Sequence, residues 1–296
     1  MYRLLPMSIN LPLISVNGIL DAAISPLDRG FTYGDGVFET CRYSRGSIPL
    51  WHYHRERLLS SAGRLGIPVD EDLLNQYLNS MLAHLSDQYD LHAVIKITLT
   101  RGVGGRGYRL PASVAPTYCI GIFPGTPLQT DQYRNGIAVR ICDLRVAQVP
   151  ALAGMKHLNR LEYILARAEW QDEFAEGLLL DAQDRVIEAT VSNLFVIKNN
   201  QLFTPDLSVA GVAGIMRKTI IEQLAPKLGL VGHIVNMDLD FLSSADEIFL
   251  CNSVYGIWPV NILRDDREPA DASQSRYTNH QLTRALQQQL AHLLGE

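Results

Sequence analysis

Two periods of apolar residues alternate along this chain, one of two residues and one of three to four, and together they predict an α/β protein. Strand-like runs fall at residues 37–43, 48–51, 93–100, 118–123, 137–141, 177–181, 186–190, 247–250 and 258–260. A further one leads from Asn193 into the Asn199-Asn200 turn. Helix-like stripes comprise Leu58, Leu59, Ala62 and Leu65 on a helix starting near His54, and a second helix over residues 72–85. Leu158, Leu161, Ile164, Leu165 and Ala168 predict a helix face packed on a core and running to about Glu173. Another helix starts near Gly214 and runs to about Leu224, and residues 277–294 carry Leu282, Leu286, Leu290 and Leu293 on one stripe. Asn17-Gly18 between apolar flanks signals a hairpin. Pro124-Gly-Thr-Pro127-Leu-Gln-Thr-Asp131 is the best linker candidate. It predicts a small N-terminal domain (residues 1–123), a linker (124–132) and a larger C-terminal domain (133–296). Residues 1–12, broken by two prolines, read as a flexible extension, with Met7 offering an internal start.

Composition narrows the function classes. The 296 residues are 47% hydrophobic and 19% charged, with a net charge of −5. That balance gives no basic footprint for nucleic acid, and no apolar run approaches the length of a membrane span. The four cysteines, Cys41, Cys119, Cys142 and Cys251, form no Cys-x-x-Cys pair. This reads against zinc and against a disulfide framework, and fits a reducing cytoplasm.

The candidate chemistry gathers around Leu152-Ala-Gly-Met-Lys156-His-Leu-Asn-Arg160-Leu-Glu162. Lysine is scarce, five residues in all, and Lys96, Lys198, Lys218 and Lys227 read as ordinary surface or strand-flanking positions. Lys156 stands at a predicted loop–helix junction, where an amine can be desolvated and used to form a Schiff base. Arg101-Gly-Val-Gly-Gly-Arg106-Gly-Tyr108-Arg109 is either a solvated loop or an anion-binding one, and spacing alone does not decide between them. Gly34-Asp-Gly36 says only "turn", because no Gly-Lys-Ser/Thr follows it. Gly211 and Gly214 ahead of a helix either permit close packing or build an anion site from free N–H groups.

Taken in order, Tyr33-Gly-Asp-Gly-Val-Phe-Glu39-Thr40, His54-x-x-Arg57, Arg101-Gly…Arg106-Gly-Tyr108, Lys156-His-Leu-Asn-Arg160, Glu188…Ser192-Asn193-Leu-Phe and Gly214-Ile-Met-Arg217 resemble the fold-type IV pyridoxal-phosphate enzymes, the class IV aminotransferases. The resemblance covers nearly the whole chain from Ile14. It implies a D-amino-acid-aminotransferase-like α/β fold with a small N-terminal α/β domain and a larger C-terminal pseudo-barrel domain. It also implies a pyridoxal 5'-phosphate cofactor, no metal, and a cytoplasmic homodimer acting on a small anionic substrate. Carried over position by position, Lys156 would be the Schiff-base lysine and proton carrier, and Glu188 the partner of the pyridine nitrogen. Arg57, the backbone of Ile215 and Met216, and Ser253 would bind the phosphate, with Asn193 in the same cofactor-binding set. Arg106 and Tyr108 would take a substrate carboxylate, and Thr40 would assist protonation or orientation.

Within the family, the two blocks around Arg101 and Lys156 are most similar to aminodeoxychorismate lyases. These convert 4-amino-4-deoxychorismate to 4-aminobenzoate and pyruvate in folate biosynthesis. D-amino-acid and branched-chain aminotransferases share the scaffold and are the alternative. Tyr108 stands where the former carry a histidine, and Leu161 where the latter carry a tyrosine, which counts against both. A cofactor-free binding or regulatory relative is disfavoured by the presence of Lys156 and Glu188.

Overall fold

A computed structural model describes residues 11–85, 91–265, 267 and 274–296. Residues 1–10 of the expected N-terminal extension lie outside the described residues. The chain forms two compact units, Met1–Thr126 with Lys156–Asn159, and Pro127–Met155 with Arg160–Glu296.

In the first unit, β1 (Leu13–Val16), β2 (Ile19–Leu20), α1 (Arg29–Tyr33), β3 (Gly36–Tyr43), α2 (Trp51–Arg64), α3 (Glu71–Ala83), β4 (Ala93–Thr100) and β5 (Thr117–Pro124) follow in order. The antiparallel sheet runs β2-β1-β5-β4-β3. Alternation along β4 sends Ala93, Ile95, Ile97 and Leu99 into the core, where Leu58 and Ala62 of α2 and Leu74, Leu78 and Met81 of α3 join them. Phe38, Thr40 and Lys96, at the intervening positions of β3 and β4, occupy the opposite face. The strand expected at residues 48–51 does not form. Pro49 has no N–H for a ladder, and Leu50 turns into the left-handed region (φ 58°), so that α2 starts at Trp51.

The second unit begins with α4 (Asp131–Asn135), β6 (Ile137–Val146), α5 (Leu161–Arg167), β7 (Glu176–Asp181), β8 (Val186–Ala189), β9 (Asn193–Lys198) and β10 (Gln201–Pro205). Next come α6 (Ile215–Thr219), a π-helical turn (Ile220–Leu224) and α7 (Ala225–Lys227). The unit ends with β11 (Gly232–Val235), α8 (Leu239–Ser243), β12 (Glu247–Asn252), β13 (Gly256–Arg264), β14 (Gln274–Arg276) and α9 (Gln281–Leu294). The sheet order is β11-β10-β9-β12-β13-β6-β7-β8, with β14 on β13. Its parallel pairs are β10·β11, β13·β6 and β6·β7. β7, β8 and nearly all of β9 are buried along their whole length, and the acids Glu176, Asp181 and Glu188 are buried with their apolar neighbours. The π turn stands just ahead of Pro226, which has no N–H to return to the preceding turn.

Two helix expectations are corrected. α5 ends at Arg167 rather than near Glu173, because the Arg167 guanidinium caps the carbonyls of Trp170 and Gln171 and Trp170 turns inward. Its stripe also faces outward: Leu161, Ile164 and Leu165 are 73%, 61% and 60% exposed, and Ala166 supplies the buried side. α9 starts at Gln281 instead of Tyr277, where Glu247 accepts the first N–H groups, those of Leu282 and Thr283.

Candidate functional site

In the first unit, Lys156 is held by a strand rather than by a helix. The Phe38 N–H donates to the Lys156 carbonyl at 2.8 Å, the Leu158 N–H donates to the Gly36 carbonyl at 3.0 Å, and His157 bridges Val37. Residues 156–158 thus extend the sheet beyond β3. The Lys156 ammonium lies 4.6 Å from the centre of the Phe38 ring, a cation–π distance. Gly34-Asp-Gly36 explains how the segment fits so closely. A Cβ on Gly36 would come 2.5 Å from the Leu99 carbonyl and 2.8 Å from Leu158, and one on Gly34 (φ +65°) would come 2.8 Å from Asn159. Thr40 sits two residues beyond Phe38 on the same strand face, opposite Lys96. Lys96, read as an ordinary strand lysine, puts its ammonium 5.5 Å from the same Phe38 ring. Only pairing across β3 and β4 reveals that proximity.

Arg57 is organised by a residue the sequence reading gave no role. The Glu39 carboxylate receives Arg57 Nε at 2.8 Å and Nη2 at 2.6 Å, and His54 Nδ1 lies 2.6 Å from Glu39 Oε2. His54 and Arg57, three residues apart on α2, share a helix face and meet the buried carboxylate from β3 together. Burial opposes the Glu39 charge, but the Arg57 cation and the His54 hydrogen bond outweigh it and bring its pKa down to about 2. Burial lowers the pKa of His54. Cys41 Sγ lies within 4.8 Å of the Glu39 and His54 ligand atoms, but burial drives its thiol pKa well up, and Arg57 already balances Glu39. Glu39 and Arg57 form a buried ion pair that His54 joins through its hydrogen bond.

The arginine-rich loop divides in two. Arg101 is 3% exposed and is taken up by Asp35 and by the carbonyls of Leu65 and Gly66. Arg29 also binds Asp35 and reaches the Gly107 carbonyl at 3.0 Å, while the Gly107 N–H donates to the Tyr33 hydroxyl at 2.8 Å. Beyond this anchor Arg106 is exposed, and Tyr108, 86% exposed, rests edge-on against Tyr33.

In the second unit, Glu188 on β8 is buried among donors. Tyr163 Oη donates to Oε1 at 2.6 Å, Asn193 Nδ2 to Oε2 at 3.0 Å, and the Val212 N–H reaches both oxygens at 3.1 Å. Asn193 also donates to the Val212 carbonyl, and its Oδ1 would lie 1.8 Å from a Cβ on Gly214. Glycine at that position is therefore required by Asn193. Gly154 and Val212 form a parallel bridge, which ties the turn leading to Lys156 to the loop that holds Glu188. Burial depresses the pKa of Arg217 on α6, where Glu188 is one of the charges opposing the shift. Ile215 and Met216 form the first turn of α6, which no side chain caps. Ser253 lies in the turn after β12, closed by Asn252 accepting from the N–H groups of Val254 and Tyr255. Tyr163 was missed because it reads as one more residue of a helix; only its contact with Glu188 distinguishes it.

The amino-transferase class IV family model matches residues 36–263. An aminodeoxychorismate lyase of Vibrio harveyi is 37% identical over 247 residues, 83% of this chain and 89% of that protein. A putative branched-chain-amino-acid aminotransferase of Methanocaldococcus jannaschii is 34% identical over 81% of this chain and 82% of its own. The 4-amino-4-deoxychorismate lyase structure from Pseudomonas aeruginosa matches with a TM-score of 0.84 at 40% identity, covering 95% of this chain and 98% of that one.

Proposed function

The chain belongs to the class IV amino-transferase family, and we propose that it is a pyridoxal-5'-phosphate-dependent aminodeoxychorismate lyase, forming 4-aminobenzoate and pyruvate from 4-amino-4-deoxychorismate. The observation that carries this assignment is its likeness, over most of the chain, to proteins named for that reaction.

The residues present suit the cofactor: an amine fixed on a strand edge, an oriented guanidinium, an uncapped helix start and a carboxylate surrounded by donors. When bound, pyridoxal phosphate supplies an aldehyde for amines and a cationic ring that withdraws electrons. Lys156 Nζ anchors it covalently, and as a free amine takes the proton from the substrate carbon that bears nitrogen. Arg57, oriented by Glu39, holds the phosphate together with the N–H groups of Ile215 and Met216 and the Ser253 hydroxyl. Glu188, oriented by Asn193, keeps the ring nitrogen protonated. Thr40 steers the departing enolpyruvyl group or its protonation. Arg106 and Tyr108 bind one substrate carboxylate, and Lys96 adds a second positive charge on the face of Lys156. The working assembly is a cytoplasmic homodimer with the loop of residues 101–109 at its interface. In support, Leu27 just ahead of α1, Phe31 on α1, and Val103 and Tyr108 on that loop are exposed.

The test is a product assay. Given enzymatically generated 4-amino-4-deoxychorismate, the protein yields 4-aminobenzoate and pyruvate in equal amounts and shows little transfer from D-alanine to 2-oxoglutarate. Lys156→Ala abolishes turnover and the visible cofactor band. Brisk transamination without 4-aminobenzoate would instead assign an aminotransferase on the same scaffold, the reading favoured by the 34% identical archaeal relative.

A further inference from the structure

We infer that Tyr163 is a positioning residue for the cofactor, acting through Glu188: its hydroxyl holds the carboxylate in place and weakens it as a base, so that the proton stays on the pyridine nitrogen. This inference rests on the cofactor assignment above.

The geometry is specific. The Oη–Oε1 separation of 2.6 Å lies in the range of charge-assisted O–H···O⁻ bonds. The Arg160 guanidinium stacks 4.7 Å from the centre of the Tyr163 ring. The ring packs against the cluster containing Val146, Ala166, Trp170 and Ile187. Ring and hydroxyl are thus fixed independently of the carboxylate they serve. Burial, and then the charge of Glu188, drive the phenol pKa far up, so Tyr163 remains the donor throughout the working range. A donor on Glu188 stabilises the anion relative to the acid. In a shared hydrogen bond with a pyridine nitrogen, a weaker carboxylate base leaves the proton on nitrogen, and a cationic ring is the stronger electron acceptor. Asn193 and Val212 support the other side of the same carboxylate, so losing Tyr163 alters basicity and orientation without emptying the cradle.

The test is a double-variant cycle on purified protein reconstituted with pyridoxal phosphate, reading the cofactor dissociation constant and the visible spectrum at fixed pH. Tyr163→Phe keeps the ring and should weaken cofactor binding roughly tenfold and redistribute the visible bands, with a normal melting profile. In a Glu188→Gln background the same change should move neither quantity by more than about twofold. Equal effects in both backgrounds, or none in either, overturn the role of Tyr163. Should Glu188→Gln fail to retain cofactor, the same cycle is read on cofactor-free protein by urea denaturation. Additive losses there overturn the inference, and coupled losses support it. A wild-type protein with no borohydride-reducible band would overturn the cofactor assignment itself, an outcome distinct from a normal wild type with an indifferent Tyr163→Phe.

Discussion

Buried glutamates are handled in opposite ways in the two units. In the first, Glu39 meets the permanent cation of Arg57 and a hydrogen bond from His54, and its charge is cancelled by Arg57 where it stands. In the second, Glu188 meets a phenol, an amide and a backbone N–H. These donors carry no charge of their own, and the Arg217 cation acts on the same carboxylate through its field. Glu176 on β7, a few residues away on the neighbouring strand, takes the remaining course. Surrounded by the hydroxyls of Thr190, Ser192 and Tyr255, it has its pKa raised by burial, so that it keeps its proton further up the pH scale. A buried acid is thus held by a cation, by neutral donors of several kinds or by hydroxyls alone, and its neighbours and its burial decide which way its titration moves.

The ion pair gives the largest expected effect. Glu39→Ala leaves the Arg57 cation and His54 without their common partner and should cost about 3–5 kcal/mol in urea denaturation at neutral pH. Because the native pKa is near 2 against an ordinary 4.5, the stabilisation from Glu39 is complete above about 4.5 and disappears as pH falls through about 2. Wild type and variant should therefore converge on acidification. A loss under about 1 kcal/mol at neutral pH would mean that Glu39 is not the anchor of Arg57, and the contrast with Glu188 would fail.

The contrast also marks how far the sequence could be read. Strand and helix periods predicted the β4 run to the residue, and placed β3, β5, β7 and the helix after Gly214 within a few residues, because those elements alternate or repeat against a core. The periods misled at α5, where apolar spacing marked a face but not whether anything covers it within this chain. They also left Gly34-Asp-Gly36 as a bare turn, since its use lies in the close approach of a segment more than a hundred residues later. Partners such as Glu39 for Arg57, or Tyr163 for Glu188, depend on which elements the topology sets side by side. No local pattern carries that information; motif resemblance supplied Arg57, Glu188 and Asn193, but no role for Glu39 or Tyr163.

Asn193→Ala probes the donors around Glu188 and should have a middling effect. It removes one donor from Glu188 and the bridge to the Val212 carbonyl, at about 2 kcal/mol by thermal or urea denaturation. A loss under about 0.5 kcal/mol would mean that Asn193 does not hold Glu188, and the contrast between an acid held by a cation and one held by amide and phenol donors would fail.

Glu176→Gln should have the smallest effect and is the most discriminating. A protonated carboxyl has nearly the shape and hydrogen-bonding pattern of an amide, and hydroxyls such as Ser192 and Thr190 can turn to donate or accept. At mildly acidic pH the substitution should therefore cost less than about 1 kcal/mol. The slope with pH is the decisive observation. A carboxyl whose native pKa is raised above the ordinary 4.5 contributes stability that is fully present below 4.5 and is lost as pH rises through the raised value. Glutamine has no proton to lose, so the variant should gain on wild type as pH climbs, the reverse of the Glu39 variant, which gains as pH falls. Stability curves for Glu39→Ala and Glu176→Gln with slopes of the same sign would mean that both acids are ionised in the fold. The division between cancelled charge and retained proton would then have to be abandoned.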